Sequence, residues 1–155
     1  MEGIIDHIAF RVDDLEKAVA FYTGVMGLEI ADRFHITFDD GTSANCAALN
    51  AGSIQIFVSE GVGEGGVVKE WVKQHGNALH HVAYAVPDIH ATVARMKARG
   101  VPFLSDDVVE DANLLQIFTR PQADTGVIHE IIQRKGNKSF STTNVKRLME
   151  STRET

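Results

Sequence analysis

One short pattern occurs twice in this chain and limits its fold more than any other feature. Residues 5–12 read Ile-Asp-His-Ile-Ala-Phe-Arg-Val and residues 79–86 read Leu-His-His-Val-Ala-Tyr-Ala-Val, so His7 and His81 hold the same place in two copies. Both stretches are β-rich, and each is followed by a helical pattern. Leu15, Val19 and Tyr22 recur after Asp13-Asp14; Ile89, Val93 and Met96 recur after Pro87-Asp88. Gly27 and Gly100 are placed to stop the two helices. Three apolar runs follow each helix, near 29–38, 44–50 and 53–59, then near 103–109, 113–119 and 126–133. Each half therefore reads βαβββ, and each sheet must bury a face against its copy. The expected fold class is α+β, with two tandem βαβββ modules forming a cupped mixed sheet, plus a C-terminal helix. The expected organisation is one domain, with module one at 1–60, a linker at 61–78, module two at 79–134 and a tail helix at 135–155. The linker opens on a flexible glycine-rich run from Gly61 and carries a short helical run around Val68, Trp71 and Val72.

Composition narrows the function classes. The chain has 155 residues, 44% hydrophobic and 23% charged, as expected for a soluble domain able to bury a core. A net charge of -6 with no basic run gives no reason to expect nucleic acid or an anionic membrane as partner. No apolar stretch reaches membrane-spanning length, and the start lacks a basic segment followed by an apolar block, so a cytoplasmic location is expected. A small-molecule partner fits best, and a homodimer is left open. Cys46 is the only cysteine; in the run 44–49 it reads as a small buried thiol in a strand.

Strand alternation picks out three candidate ligands. In the first strand Ile5, His7, Ala9 and Arg11 share a face; the repeat gives Leu79, His81, Ala83 and Ala85 the equivalent face. In the last strand Ile128, Glu130 and Ile132 share a face, and a carboxylate between isoleucines needs a partner if buried. Two imidazoles and a carboxylate on three strands form a plausible facial triad for a divalent metal. A single histidine in an apolar strand is more often a satisfied core residue, but its recurrence in both copies favours a site. His80 and His129 point away by alternation unless a bulge intervenes, and His35, His75 and His90 carry little weight.

The motifs His7-Ile-Ala-Phe, His81-Val-Ala-Tyr and Glu130-Ile-Ile-Gln-Arg resemble the vicinal oxygen chelate (glyoxalase, bleomycin resistance, dioxygenase) superfamily. Leu115-Gln-Ile-Phe-Thr-Arg-Pro, the stretch Arg99 to Ser105 and the tail Phe140…Asn144…Leu148…Glu150-Ser151 are similar to the C-terminal domain of 4-hydroxyphenylpyruvate dioxygenase. The resemblance implies iron(II), with cobalt, nickel, manganese or zinc as alternatives, held by His7, His81 and Glu130. It implies dioxygen and a 2-oxo acid as reactants, with Gln116 and Phe118 as catalytic pocket residues and Phe140 near the substrate. The departures are His80 where that family has glutamine, Asn45 at a pocket serine, Ser59 at a pocket asparagine and Val145 at a tail aromatic. That family also has an N-terminal domain that this chain is expected to lack. 4-Hydroxyphenylpyruvate itself is therefore expected to be a poor substrate.

Some members of the superfamily hold their metal with a fourth side chain from the last strand of module one. Aligning Phe57-Val-Ser-Glu with Glu130-Ile-Ile-Gln puts Phe57 there; a shift of two puts Gln55 there, and alternation cannot separate them because both share a face. Three ligands suit an oxygenase. Four suit an epimerase, isomerase or lyase that uses the metal as a Lewis acid. A binding protein of the bleomycin-resistance kind is the third reading, and the intact His, His, Glu set argues against it. Val145, Leu148 and Met149 recur at helical spacing with Asn144 as a cap, either as a packed helix or as a cover over the cup. Since neither module can bury its sheet alone, fragments 1–60 and 79–155 expressed separately are expected to be insoluble; a soluble, cooperatively melting half would refute the pairing.

Overall fold

The computed structural model describes residues 1, 3–136, 142–153 and 155. The first half runs β1 (Ile4–Val12), α1 (Leu15–Ala20) with a π-helical turn at Phe21–Val25, β2 (Glu29–Thr37), β3 (Ser43–Ala51) and β4 (Ile54–Val62). α2 (Val67–His75) follows. The second half runs β5 (Ala78–Ala85), α3 (Ile89–Ala98), β6 (Val109–Glu110), β7 (Leu114–Phe118) and β8 (Ile128–Arg134), and α4 (Thr142–Ser151) ends the chain. The copies match down to their helix caps. Asp14 and Asp88, each seven residues past its histidine, have φ/ψ of -141/100 and -140/99 and accept from Lys17 N and Ala91 N.

All eight strands join one mixed α+β sheet in the order β2-β3-β4-β1-β5-β8-β7-β6. β1 lies parallel to β4 and β5 parallel to β8, while β1 and β5 pair antiparallel and join the halves. That central pair is bulged twice. Ile5 pairs with Tyr84 but His7 with Ala83, leaving Asp6 as the extra residue; Ala9 pairs with His81 but Phe10 with Leu79, leaving His80 as the extra residue. A bulge residue shifts the alternation by one. Hence Ile5 and Leu79, expected beside the histidines, lie on the opposite face with Tyr84 and Phe10.

One face packs α1 and α3: Leu15 and Val19 meet Ala47, Leu49, Ile56 and Val58, while Ile89 and Val93 meet Leu115, Ile117 and Ile131. The other face carries His7 and Ala9. There α2 (Val67, Val68) and α4 (Val145, Met149) cover Ile36, Ala44, Cys46 and Phe57, and Leu148 of α4 reaches Phe118 and Ile128 in the second half.

Three local expectations change. The strand expected near 103–109 shrinks to one bridge, Phe103 to Thr119, and the two-residue β6. Pro102 offers no N–H there, and Ser105 Oγ donates to Asp107 O in a bend rich in acidic residues of low strand propensity. α4 begins at Thr142, so Asn144 lies in its first turn and is not its cap. Gly61 is not flexible linker: it ends β4 against α2, where a Cβ would stand 2.6 Å from the backbone nitrogen of Lys69. Gly61→Ala is therefore expected to destabilise the chain by about 1–3 kcal/mol through overpacking. Thermal or urea unfolding measures this, and an unchanged midpoint would mean that α2 is not seated on β4.

Candidate metal centre

The central pairing places two imidazoles side by side. Ala9 pairs with His81 and Ala83 with His7, so both rings rise from the α2/α4 face of neighbouring strands. β8 adds Glu130, which pairs with Ala83. His7 Nε2 lies 3.3 Å from His81 Nε2 and 3.1 Å from Glu130 Oε2, and His81 Nε2 lies 3.4 Å from the same oxygen. All three side chains are buried.

These residues fit a divalent metal. Ligand atoms about 2.1 Å from an ion sit about 3.0 Å apart at right angles and about 3.4 Å apart at the tetrahedral angle, which brackets the separations here. Buried Glu130 Oε2 has no hydrogen bond among the described residues, although it is close enough to His7 for charge attraction. A buried carboxylate oxygen left without a bond costs about 1–3 kcal/mol or more, and a cation would satisfy it.

The two histidines are held differently from behind. His7 Nδ1–H donates to Asp6 Oδ2 at 2.7 Å. Arg134 grips the same carboxylate, its Nε donating to Oδ1 and its NH2 to Oδ2, both at 2.8 Å. Burial would raise the Asp6 pKa, but the bonds from Arg134 and His7 outweigh it and hold the carboxyl well below the usual range. His81 Nδ1 faces His80 Nδ1 at 2.9 Å. Burial, with His80, His7 and Arg11 nearby, pushes His81 well down. Burial also lowers His80, helped by Arg11 and His75. For His7, burial lowers the pKa but Glu130 and Asp6 overcome it, lifting it to about 9.

The other residues singled out in the sequence fall into groups. Gln116 and Phe118 face the centre from β7: Phe118 sits edge-on to His81 at 5.8 Å, and both line a cleft of about 70 Å³ beneath Leu148 and Arg147 of α4. Phe57 is buried on the same face of the sheet. Its register answers the question alternation left open. Ala9 pairs with Phe57 as Ala83 pairs with Glu130, so Phe57 is the counterpart of Glu130, while Gln55 pairs with His7 as Ile128 pairs with His81. Gln55 donates from Nε2 to Asn50 and lines an open pocket of about 540 Å³ with Asp6 and Arg134. Ser59 is buried on the histidine face, opposite Arg11. The bulge turns His80 onto that face too, edge-on to Trp71 at 5.2 Å.

Asn45 is not brought to the site. It lies on the α1 face, where its Oδ1 meets His35 Nδ1 at 2.7 Å; Cys46 holds the buried inner position next to it. One residue in a strand changes the face, so Asn45 and Cys46 point to opposite sides of the sheet. Phe140 lies outside the described residues.

The sequence reading passed over Asp6, Arg134 and Arg11. A polar residue directly before His7 is the available signal for Asp6, as His80 is before His81. Arg11 is 3% exposed; its NH2 donates to Thr152 Oγ1 at 2.7 Å, its guanidinium lies 5.6 Å from the Trp71 ring centre, and burial lowers its pKa to about 9.

Residues 6–119 match the family described as Glyoxalase/Bleomycin resistance protein/Dioxygenase superfamily. The chain is 27% identical to 4-hydroxyphenylpyruvate dioxygenase of Pseudomonas aeruginosa over 97% of its own length, but spans only 52% of that protein. It is 28% identical to mitochondrial methylmalonyl-CoA epimerase of Homo sapiens, with 84% of this chain and 74% of that one covered. A triple mutant of 4-hydroxymandelate synthase from Streptomyces coelicolor shares the fold with a TM-score of 0.85 at 24% identity, covering 98% of this chain and 54% of that one.

A pH dependence follows. In the metal-free chain His7 keeps its second proton up to about pH 9, and a ligand nitrogen must lose it. Metal uptake at pH 7 should therefore release about one proton, and affinity should rise about tenfold per pH unit until it levels off near pH 9. Calorimetry in buffers of different ionisation enthalpy counts the proton; none released would contradict His7 as a ligand. His81→Ala should lower metal affinity at least about 10-fold while far-UV circular dichroism stays unchanged; full occupancy in that variant would remove His81 from the site.

Proposed function

Because the chain belongs to the Glyoxalase/Bleomycin resistance protein/Dioxygenase superfamily, whose members include metal-dependent enzymes, we propose that it is a non-haem iron(II) oxygenase acting on a 2-oxo acid. The carrying observation is the register that sets Phe57, which has no donor atom, where the second half has Glu130. Three protein ligands leave half of an octahedral coordination sphere open. Iron(II) so held supplies a site for chelation by the carboxylate and keto oxygens of a 2-oxo acid, and redox chemistry with dioxygen.

The chain's own groups have separate tasks. His7, His81 and Glu130 would hold the ion through one nitrogen each and one oxygen. Phe57 and Phe118 add apolar surface on the same face of the sheet, which would direct the substrate's hydrocarbon part towards the cleft under α4. Gln116, buried and able both to donate and to accept, orients a polar group of the substrate there. α4 excludes bulk water from above, since Leu148 and Met149 close over the face that carries the ligands.

A second reading has one observation in its favour. Gln55 pairs directly with His7, and if its amide oxygen turned inward the site would have four ligands, as suits an epimerase or lyase. Relatives named methylmalonyl-CoA epimerase lend weight to this alternative.

Spectroscopy separates the two. Loading the metal-free chain with iron(II) under anaerobic conditions and adding pyruvate, phenylpyruvate or 4-hydroxyphenylpyruvate should produce a visible charge-transfer band that decays when oxygen enters. Phe57→Glu, by adding a fourth donor, should retain metal and lose the band. No band with any of these acids, together with about a 10-fold loss of metal affinity in Gln55→Ala, would favour the epimerase or lyase reading.

A further inference from the structure

The two bulges sit at equivalent places, each on the residue immediately before a histidine of the centre. A bulge turns its extra residue towards the side of the residue that follows, so Asp6 and His80 both reach the ring that follows them. Both contacts are made at Nδ1, and both Nε2 atoms converge on Glu130. Resting on the metal site proposed above, we propose that Asp6 and His80 are positioning residues that fix His7 and His81 as Nε2 ligands, and that they make the two ligands chemically unequal.

The proton positions follow from the geometry. If His81 offers the Nε2 lone pair to a metal, its proton is on Nδ1, and the His80 Nδ1 lone pair at 2.9 Å accepts it. His80 then carries its own proton on Nε2, which faces Thr155 Oγ1 at 3.4 Å. Behind His81 there is thus a neutral acceptor with a weak further contact. Behind His7 there is an anion held at two points by a guanidinium at 2.8 Å. A carboxylate accepting from Nδ1–H raises the basicity of Nε2 more than a neutral ring nitrogen does. His7 is accordingly the stronger donor and His81 the weaker one. The pair Asp6–Arg134 spans the two modules from β1 to β8, so it also fixes how the two halves present their ligands.

The test uses the whole chain with zinc(II) and cobalt(II) as probes. Competition against a chromophoric chelator measures affinity, and long-range proton–nitrogen correlation spectra show which ring nitrogen carries the proton. Asp6→Ala is expected to weaken zinc(II) binding by about 10–100-fold. The double variant Asp6→Ala/Arg134→Ala removes the pair as a unit, leaves no buried guanidinium without its carboxylate, and is expected to show the same loss with an unchanged circular dichroism spectrum. His80→Ala is expected to cost less, and His80→Gln, whose amide oxygen still accepts, should bind like the wild type. Affinities within about twofold of wild type in the double variant, a His80→Ala loss equal to or above that of Asp6→Ala, or metal on Nδ1 would each overturn the proposal while leaving the metal site standing. Should the wild-type chain take up neither ion, the metal reading itself fails. The spectrum of the metal-free chain then still decides the positioning claim: the His7 Nδ1 proton must be protected in the wild type and in Arg134→Ala, and exchange freely in Asp6→Ala.

Discussion

The antiparallel pairing of β1 with β5 is the interaction on which everything else depends. It joins the two halves of the duplicated fold into one eight-stranded sheet, and it brings His7 and His81 within 3.3 Å although they begin in separate modules. Its two bulges do more than interrupt the ladder. Each adds a residue to the inner face, so the sheet presents Asp6 with His7 and His80 with His81 where regular strands would present one side chain apiece. The parallel strands β4 and β8 then flank this pair symmetrically, and they differ in what they supply, a phenyl ring on one side and a carboxylate on the other.

Burying so many polar groups beneath two helices opposes folding, and the chain meets that cost locally. Asp6 is satisfied by Arg134 and His7, and His80 by His81 and the C-terminal turn. Arg11 NH1 and Glu130 Oε2 are the exceptions among the described residues, and a cation, whether a proton-bearing His7 or a metal, would satisfy the carboxylate. Proton and metal therefore compete for one place, so the same geometry that keeps the metal-free chain folded makes metal uptake depend on pH.

The two flanking strands also differ in what they turn towards the centre, Phe57 from β4 and Glu130 from β8. Relatives of this chain are named as dioxygenase and as epimerase, and fold alone does not choose between those chemistries. The number of protein donor atoms around a metal bears on that choice, because it sets how many coordination positions remain for reactants. On the proposed reading, Phe57, Phe118 and the cover of α4 would together keep the centre apolar and dry.

The sequence by itself determined the duplication, the α+β class and the three residues of the centre, because strand and helix periods and a repeated histidine are local signals that survive without coordinates. The helix starts are local too, since Asp14 and Asp88 accept from backbone only three residues away. What it misjudged follows from register. Alternation put Ile5 and Leu79 beside the histidines and left His80 outside, because a bulge is a property of two paired strands and not of either one. Asn45, expected in the pocket, lies on the other face beside His35, because only the pairing of β2, β3 and β4 fixes which face each residue takes. The strand expected near 103–109 gave way to a bend that its apolar content did not reveal. Only the tertiary structure could choose between Phe57 and Gln55, which share a face and differ solely in which residue of β1 they stand beside. Only it could bring Arg134, at the far end of the chain, onto Asp6: the pairing needs both modules folded against each other before either charge can leave water.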